Sequence, residues 1–145
     1  MNMSKPRDLD DAVGRWSGTW STWLQPGVLH DTSAIDLDVD ATSDGWTLTY
    51  SGSIGDDDVT GRMLVSPDGT TIRWTDTWHT GGEEQLLIGE DSGAPSYRYG
   101  PDDAPWTWSI AIEARPGQLV IRHFNAPPDN DPALAVEMDL TRPDE

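Results

Sequence analysis

The run Ser33-Ala34-Ile35-Asp36-Leu37-Asp38-Val39-Asp40 is followed by Ala41-Thr42-Ser43-Asp44-Gly45 and then by Trp46-Thr47-Leu48-Thr49-Tyr50-Ser51. Ile35, Leu37 and Val39 alternate with Asp36, Asp38 and Asp40, and Trp46, Leu48 and Tyr50 alternate with Thr47, Thr49 and Ser51. A period of two puts each set of side chains on its own face of a β-strand. Thr42-Ser43-Asp44-Gly45 between the two runs is a hairpin signal. These residues therefore specify an antiparallel pair with one apolar and one polar face.

The same pattern extends in both directions. Upstream, residues 15–24 place Trp16, Gly18, Trp20, Thr22 and Leu24 on one face, and Pro26-Gly27 ends the run. Downstream, runs over residues 59–65, 70–79, 84–89, 97–99, 106–114 and 119–124 are separated by turn sequences such as Ser66-Pro67-Asp68-Gly69, Gly81-Gly82 and Arg115-Pro116-Gly117-Gln118. After a proline-rich loop, Leu134, Val136, Met138 and Leu140 alternate once more. Connections this short exclude helical crossovers, so neighbours pair antiparallel. Ten such runs predict an all-β, ten-stranded antiparallel up-and-down barrel, because closure removes the unpaired edges. Residues 4–13 read as a short N-terminal helix with Ser4 as cap, Leu9, Ala12 and Val13 on one face, and Gly14 as the stop. The expected organisation is one domain over 1–145, with a cap helix within 1–13 and the barrel over 14–141.

The chain has 145 residues, no cysteine, 26 acidic and nine basic residues, and a formal charge of −17. Without cysteine there is no thiol nucleophile, thiolate metal site or disulfide framework. The charge argues against a nucleic-acid backbone or an anionic membrane surface as partner. The start, Met1-Asn2-Met3-Ser4-Lys5-Pro6-Arg7-Asp8, lacks the apolar core of a signal peptide, so a cytoplasmic protein is expected. Eight tryptophans stand against one phenylalanine. Each offers a large apolar surface with one N–H that wants a partner, which suits a wall that is apolar without being fully dry.

Gly14-Arg15-Trp16-Ser17-Gly18-Thr19-Trp20, a Gly-x-Trp-x-Gly pattern after a short N-terminal segment, resembles the first strand of the calycin barrels: lipocalins, fatty-acid-binding proteins and nitrobindins. Ile72-Arg73-Trp74-Thr75-Asp76 is similar to the central Trp-x-Asp strand of small bacterial barrels of that superfamily. The resemblance implies a calycin-like, ligand-holding barrel whose first Trp plugs the closed end. The chain departs from fatty-acid-binding proteins in having only the short 25–31 loop where they carry a helix pair.

From these readings the expected partner is a small hydrophobic or amphipathic ligand in the lumen; a homodimer stays open. Trp16, Trp20, Trp74 and Trp78 are expected on the ligand wall, with Trp106 or Trp108 joining according to which face of their run turns in. Asp76 lies on the same face as Trp74 and Trp78, and a buried carboxylate needs a partner, for which Arg122, Arg98 and His123 are candidates. Arg122 or His123 would then orient the ligand's polar end, a guanidinium fork being suited to a carboxylate. The alternative is a barrel enzyme of isomerase or hydratase type, with Asp76 and a histidine or arginine as acid–base pair. The three histidines, His30, His79 and His123, lack close metal-ligand spacing. The nitrobindin resemblance implies haem through a late-strand histidine, for which His123 is the candidate. Nucleophile-elbow, phosphate-loop and dinucleotide signatures are missing.

Overall fold

The structure, a computed structural model, describes residues 9–89 and 94–142. Its ten strands are β1 (Gly14–Gln25), β2 (Val28–Thr42), β3 (Gly45–Ile54), β4 (Asp57–Val65), β5 (Thr71–Asp76), β6 (Gln85–Ile88), β7 (Ser96–Tyr99), β8 (Trp106–Arg115), β9 (Gln118–Ala126) and β10 (Ala133–Thr141). Each pairs antiparallel with its neighbours in sequence, and β1 pairs with β10 to close the barrel. The opening hairpin forms as its sequence requires: Thr42 faces Gly45, Val39 faces Leu48 and Leu37 faces Tyr50. Ile35, Leu37 and Val39 are buried, whereas Asp36, Asp38 and Asp40 are exposed.

Three expectations need correction. Residues 4–8 of the expected helix lie outside the described residues, and Asp10–Ala12 form one 3-10 turn, not an α-helix. Residues 28–31 are not loop: β2 starts at Val28, so His30 stands on a strand. The run over 70–79 ends as a strand at Asp76, and residues 77–80 form turns and a bend. The reason is the Asp76 carboxylate, which captures the backbone N–H groups that would otherwise extend the ladder.

The 3-10 turn closes one end of the barrel. Trp16 donates from Nε1 to the Ala12 carbonyl (2.7 Å), and Trp46 donates from Nε1 to Asp10 Oδ1 (2.9 Å). The Arg142 guanidinium lies 4.2 Å from the Trp16 ring centroid and donates to the carbonyls of Val13 (2.9 Å) and Asp11 (2.8 Å). Both indole N–H groups at this end are thus satisfied, and a pocket of about 290 Å³ lies beside the turn between Ala12, Trp16, Arg115, Pro116 and Arg142. The opposite end, ringed by the β1–β2, β3–β4, β5–β6, β7–β8 and β9–β10 connections, remains available for a site.

Two glycines act by what they lack. A Cβ on Gly18 would stand 2.0 Å from the Asp139 carbonyl oxygen, so the seam between β1 and β10 closes only without one. Gly61 is the register partner of both Tyr50 and Asp76, and a Cβ there would lie 2.2 Å from the Tyr50 ring. Its bare backbone gives Tyr50 the room to reach across to Asp76. Gly18→Ala is expected to destabilise the protein by about 2 kcal/mol or more, the upper part of the overpacking range, because the obstacle is backbone. Urea unfolding followed by tryptophan emission measures this, and an unchanged midpoint would contradict the close seam.

Candidate functional site

The site grows from the end of β5. Asp76 has no exposed side-chain surface. Its Oδ1 accepts from the backbone N–H groups of Trp78 (2.9 Å), His79 and Thr80 (3.4 Å). Its Oδ2 accepts from the Tyr50 hydroxyl (2.8 Å) and from His79 Nδ1 (2.7 Å). The Tyr50 hydroxyl in turn accepts from Trp74 Nε1 (2.9 Å). The Thr80 hydroxyl donates to the Asp76 carbonyl (2.9 Å) and accepts from its N–H (3.0 Å), locking the turn. This is the short-range side-chain capture of backbone that makes Asp a turn residue, here buried.

Burial by itself pushes the Asp76 carboxyl up, but the hydrogen bonds and charge of His79, with help from Tyr50, outweigh it and hold it down at about 2. Tyr50 is raised well above its ordinary range, by burial first and by the Asp76 charge second, and so stays a neutral hydroxyl. An ionised Asp76 accepts only, so His79 Nδ1 carries its hydrogen, and in the neutral imidazole Nε2 keeps a lone pair.

The turn brings His79 to a cavity of about 280 Å³ at the open end of the barrel. Trp74, Trp78, Trp108, Tyr97 and Tyr99 form its aromatic walls. Thr22, His79 and Asn125 supply polar surface, and Trp23, Leu24 and Ala135 complete the lining. Trp74 and Trp108 stack with centroids 5.4 Å apart and planes at 15°, while Trp78 stands edge-on to His79 at 4.9 Å. The Tyr99 hydroxyl donates to Asn125 Oδ1 (2.5 Å). Burial, with the neighbouring Tyr99 and Asp76, pushes Tyr97 up to about 12, so it too stays neutral. The Thr22 hydroxyl is buried in this wall with no hydrogen-bond partner among the described residues.

The expected site residues divide along the barrel axis. Trp74, Trp78 and Trp108 line the cavity. Trp16 packs inside the barrel at the end with the 3-10 turn, and Trp20 fills the lumen below the cavity, donating from Nε1 to the Ser53 carbonyl (2.8 Å). Neither lines the cavity. Trp106 shares a face of β8 with Trp108 but stands at the rim, 38% exposed, beside a second pocket. Arg122 points out of the barrel and donates from Nε to Glu137 Oε2 (2.7 Å), with Glu113 at 4.0 Å. It therefore neither partners Asp76 nor reaches the lumen, and Arg98 is exposed on β7.

His123 turns inward, 1% exposed, between Trp74 (4.9 Å between centroids) and Trp108 (5.6 Å). Its Nδ1 accepts from Trp108 Nε1 (3.0 Å), a nitrogen that can only donate, so the hydrogen sits on His123 Nε2. That Nε2 is buried without a partner among the described residues. These residues do not fit haem. The nitrogen that would have to give iron a lone pair carries the hydrogen, and exchanging tautomers would orphan the Trp108 N–H. Among the described residues no three His, Asp or Glu side chains converge as metal ligands.

Reading the sequence alone misses His79 as the Asp76 partner, as well as Thr22, Tyr97, Tyr99 and Asn125. The signal for His79 was the Asp-x-x-His spacing followed by Thr80-Gly81-Gly82, a turn composition overshadowed by the β-alternation running into it. Trp23 reaches the mouth through a register shift in β1 between Thr22 and Trp23. Compared with known protein families and with curated proteins, the chain matches none.

Burial, then the His79 charge, depress His123 to about 3, against a smaller opposing effect of Asp76. Between about pH 6.5 and this value the unfolded chain binds a proton that the folded protein refuses, so stability falls as pH falls, by about 1.4 kcal/mol per unit. His123→Phe is expected to remove that slope between pH 6 and 4 while lowering stability by about 1–3 kcal/mol near neutral pH, since Trp108 loses its acceptor, so the two curves converge as pH falls. Unfolding free energies of both proteins across that range check it; parallel curves would contradict a buried neutral His123.

Proposed function

We propose that this chain is a calycin-like small-molecule-binding protein that holds a hydrophobic or amphipathic ligand in the upper lumen of the barrel. The observation that supports the reading most is the aromatic lining of the open end. At one end the indole N–H groups are capped by the chain itself; at the other, aromatic walls enclose about 280 Å³ with a few polar atoms turned in. Mostly apolar concavities with a small number of placed polar groups are the usual composition of ligand sites. A volume just below the common range of about 300–1,000 Å³ selects a molecule of one or two rings rather than a long acyl chain. No helix among the described residues is long and apolar enough to cross a membrane.

A second reading, a barrel enzyme, is favoured by one observation. The 2.7 Å contact of Asp76 with His79 is the arrangement that fixes a tautomer and readies the other nitrogen to accept a proton. Arg122 has no part in it.

Naphthalene and indole are expected to bind one-to-one and saturably, with a change in tryptophan emission that Trp108→Ala abolishes. Calorimetry alongside emission measures this. Native mass spectrometry of the protein as purified shows whether a retained molecule leaves unchanged, as a carrier requires, or converted, as the enzyme reading requires. Absence of saturable binding by both probes would mean that the indoles fill the barrel as an inert core.

A further inference from the structure

The polarity of the cavity discriminates among ligands more sharply than its volume does. His79 gives its Nδ1 hydrogen to Asp76 and lines the cavity with the rest of its ring, so in the neutral imidazole Nε2 is an acceptor with no hydrogen bond among the described residues. Thr22 Oγ1 is buried in the same lining, also without a partner. The Tyr99 hydroxyl, by contrast, spends its hydrogen on Asn125 Oδ1.

The cation that a carboxylate ligand would need is missing. None of the described lining residues is Lys or Arg, and Arg122 is committed to Glu137 on the outer face. The Asp76 carboxylate stands directly behind His79, and the chain carries −17 overall. A carboxylate entering here would lose its water without gaining a counter-charge. A pure hydrocarbon would enter readily but leave His79 Nε2 and Thr22 Oγ1 unpaired as it excluded water from them. Flat indole and phenol walls, finally, reward a planar molecule that meets them by face or edge.

We infer that the ligand is a neutral, planar molecule of one or two rings bearing a hydroxyl or N–H group that donates to His79 Nε2. The inference rests on the reading of this cavity as a small-molecule site and narrows it to a donor-bearing aromatic class. The fatty-acid type of ligand, anchored through its carboxylate, is excluded by the same residues.

Calorimetry on the full chain with 2-naphthol, naphthalene and 2-naphthoate tests this, because the three share a ring system and differ in donor and charge. The expected order is 2-naphthol tightest, by about tenfold over naphthalene, with 2-naphthoate weakest. His79→Phe is expected to abolish the preference, so that 2-naphthol and naphthalene bind this variant within about twofold of each other. Should His79→Phe fail to fold, a crystal structure of the wild-type complex decides: the naphthol oxygen is expected within about 3.2 Å of His79 Nε2. Equal binding of 2-naphthol and naphthalene, tightest binding of 2-naphthoate, or a naphthol oxygen directed away from His79 would overturn the inference while leaving the cavity reading intact. Binding of none of the three would bring down the cavity reading and the inference with it.

Discussion

A carboxylate sealed from water must be met by donors, and the architecture of the open end follows from how Asp76 is met. Three backbone N–H groups bend around Oδ1, so β5 stops at Asp76 and the chain turns. The turn sets Trp78 and His79 facing the cavity instead of continuing the ladder. On Oδ2, Tyr50 and His79 converge, and Tyr50 carries the connection on to Trp74. One buried charge thus fixes a strand end, the orientation of a histidine and the positions of two cavity tryptophans. Gly61 makes this possible from β4, since any side chain there would occupy the space that Tyr50 crosses.

The two ends of the barrel use the same residue type for opposite purposes. Trp16 and Trp46 have their N–H groups bound by the 3-10 turn, and Arg142 covers the Trp16 ring, so at that end the donors are used within the chain. At the other end the tryptophans contact one another and the histidines, and their exposed faces and edges form a wall. Tryptophan suits both roles because its apolar area and its single donor can be spent separately. The negative charge lies mainly on outward positions such as Asp36, Asp38 and Asp40, leaving the interior with Asp76 as its one buried acid among the described residues.

Much of the barrel was legible in the chain because the polar face is so consistently polar: Asp against Ile, Leu and Val in β2, Thr against Trp, Leu and Tyr in β3. Depth along a strand was not legible. A period of two says that Trp16 and Trp20 face inward but not that they lie below the cavity while Trp74 and Trp108 reach it. The alternation through residues 70–79 hid the turn, since Thr77 and Thr80 are as much at home in a strand as in a turn, and only the buried Asp76 decides between them. Arg122 looked like an anchor in isolation. Its neighbours Leu119 and Ile121 share the inward parity with His123, and its partner Glu137 lies across the β9–β10 ladder, where one strand's pattern cannot reveal it. Leu9 and Ala12 do pack on the barrel as their spacing suggested, but as part of a one-turn plug, not a helix.

The central claim is that Asp76 fixes the hydrogen of His79 on Nδ1 and leaves Nε2 as an acceptor toward the cavity. Long-range proton–nitrogen correlation spectra of the imidazole rings in the wild-type protein read this directly. The account predicts opposite tautomers for the two inward histidines: hydrogen on Nδ1 with a bare Nε2 for His79, and hydrogen on Nε2 with a bare Nδ1 for His123. A His79 ring with its hydrogen on Nε2, whether Nδ1 is bare or also protonated, would contradict it.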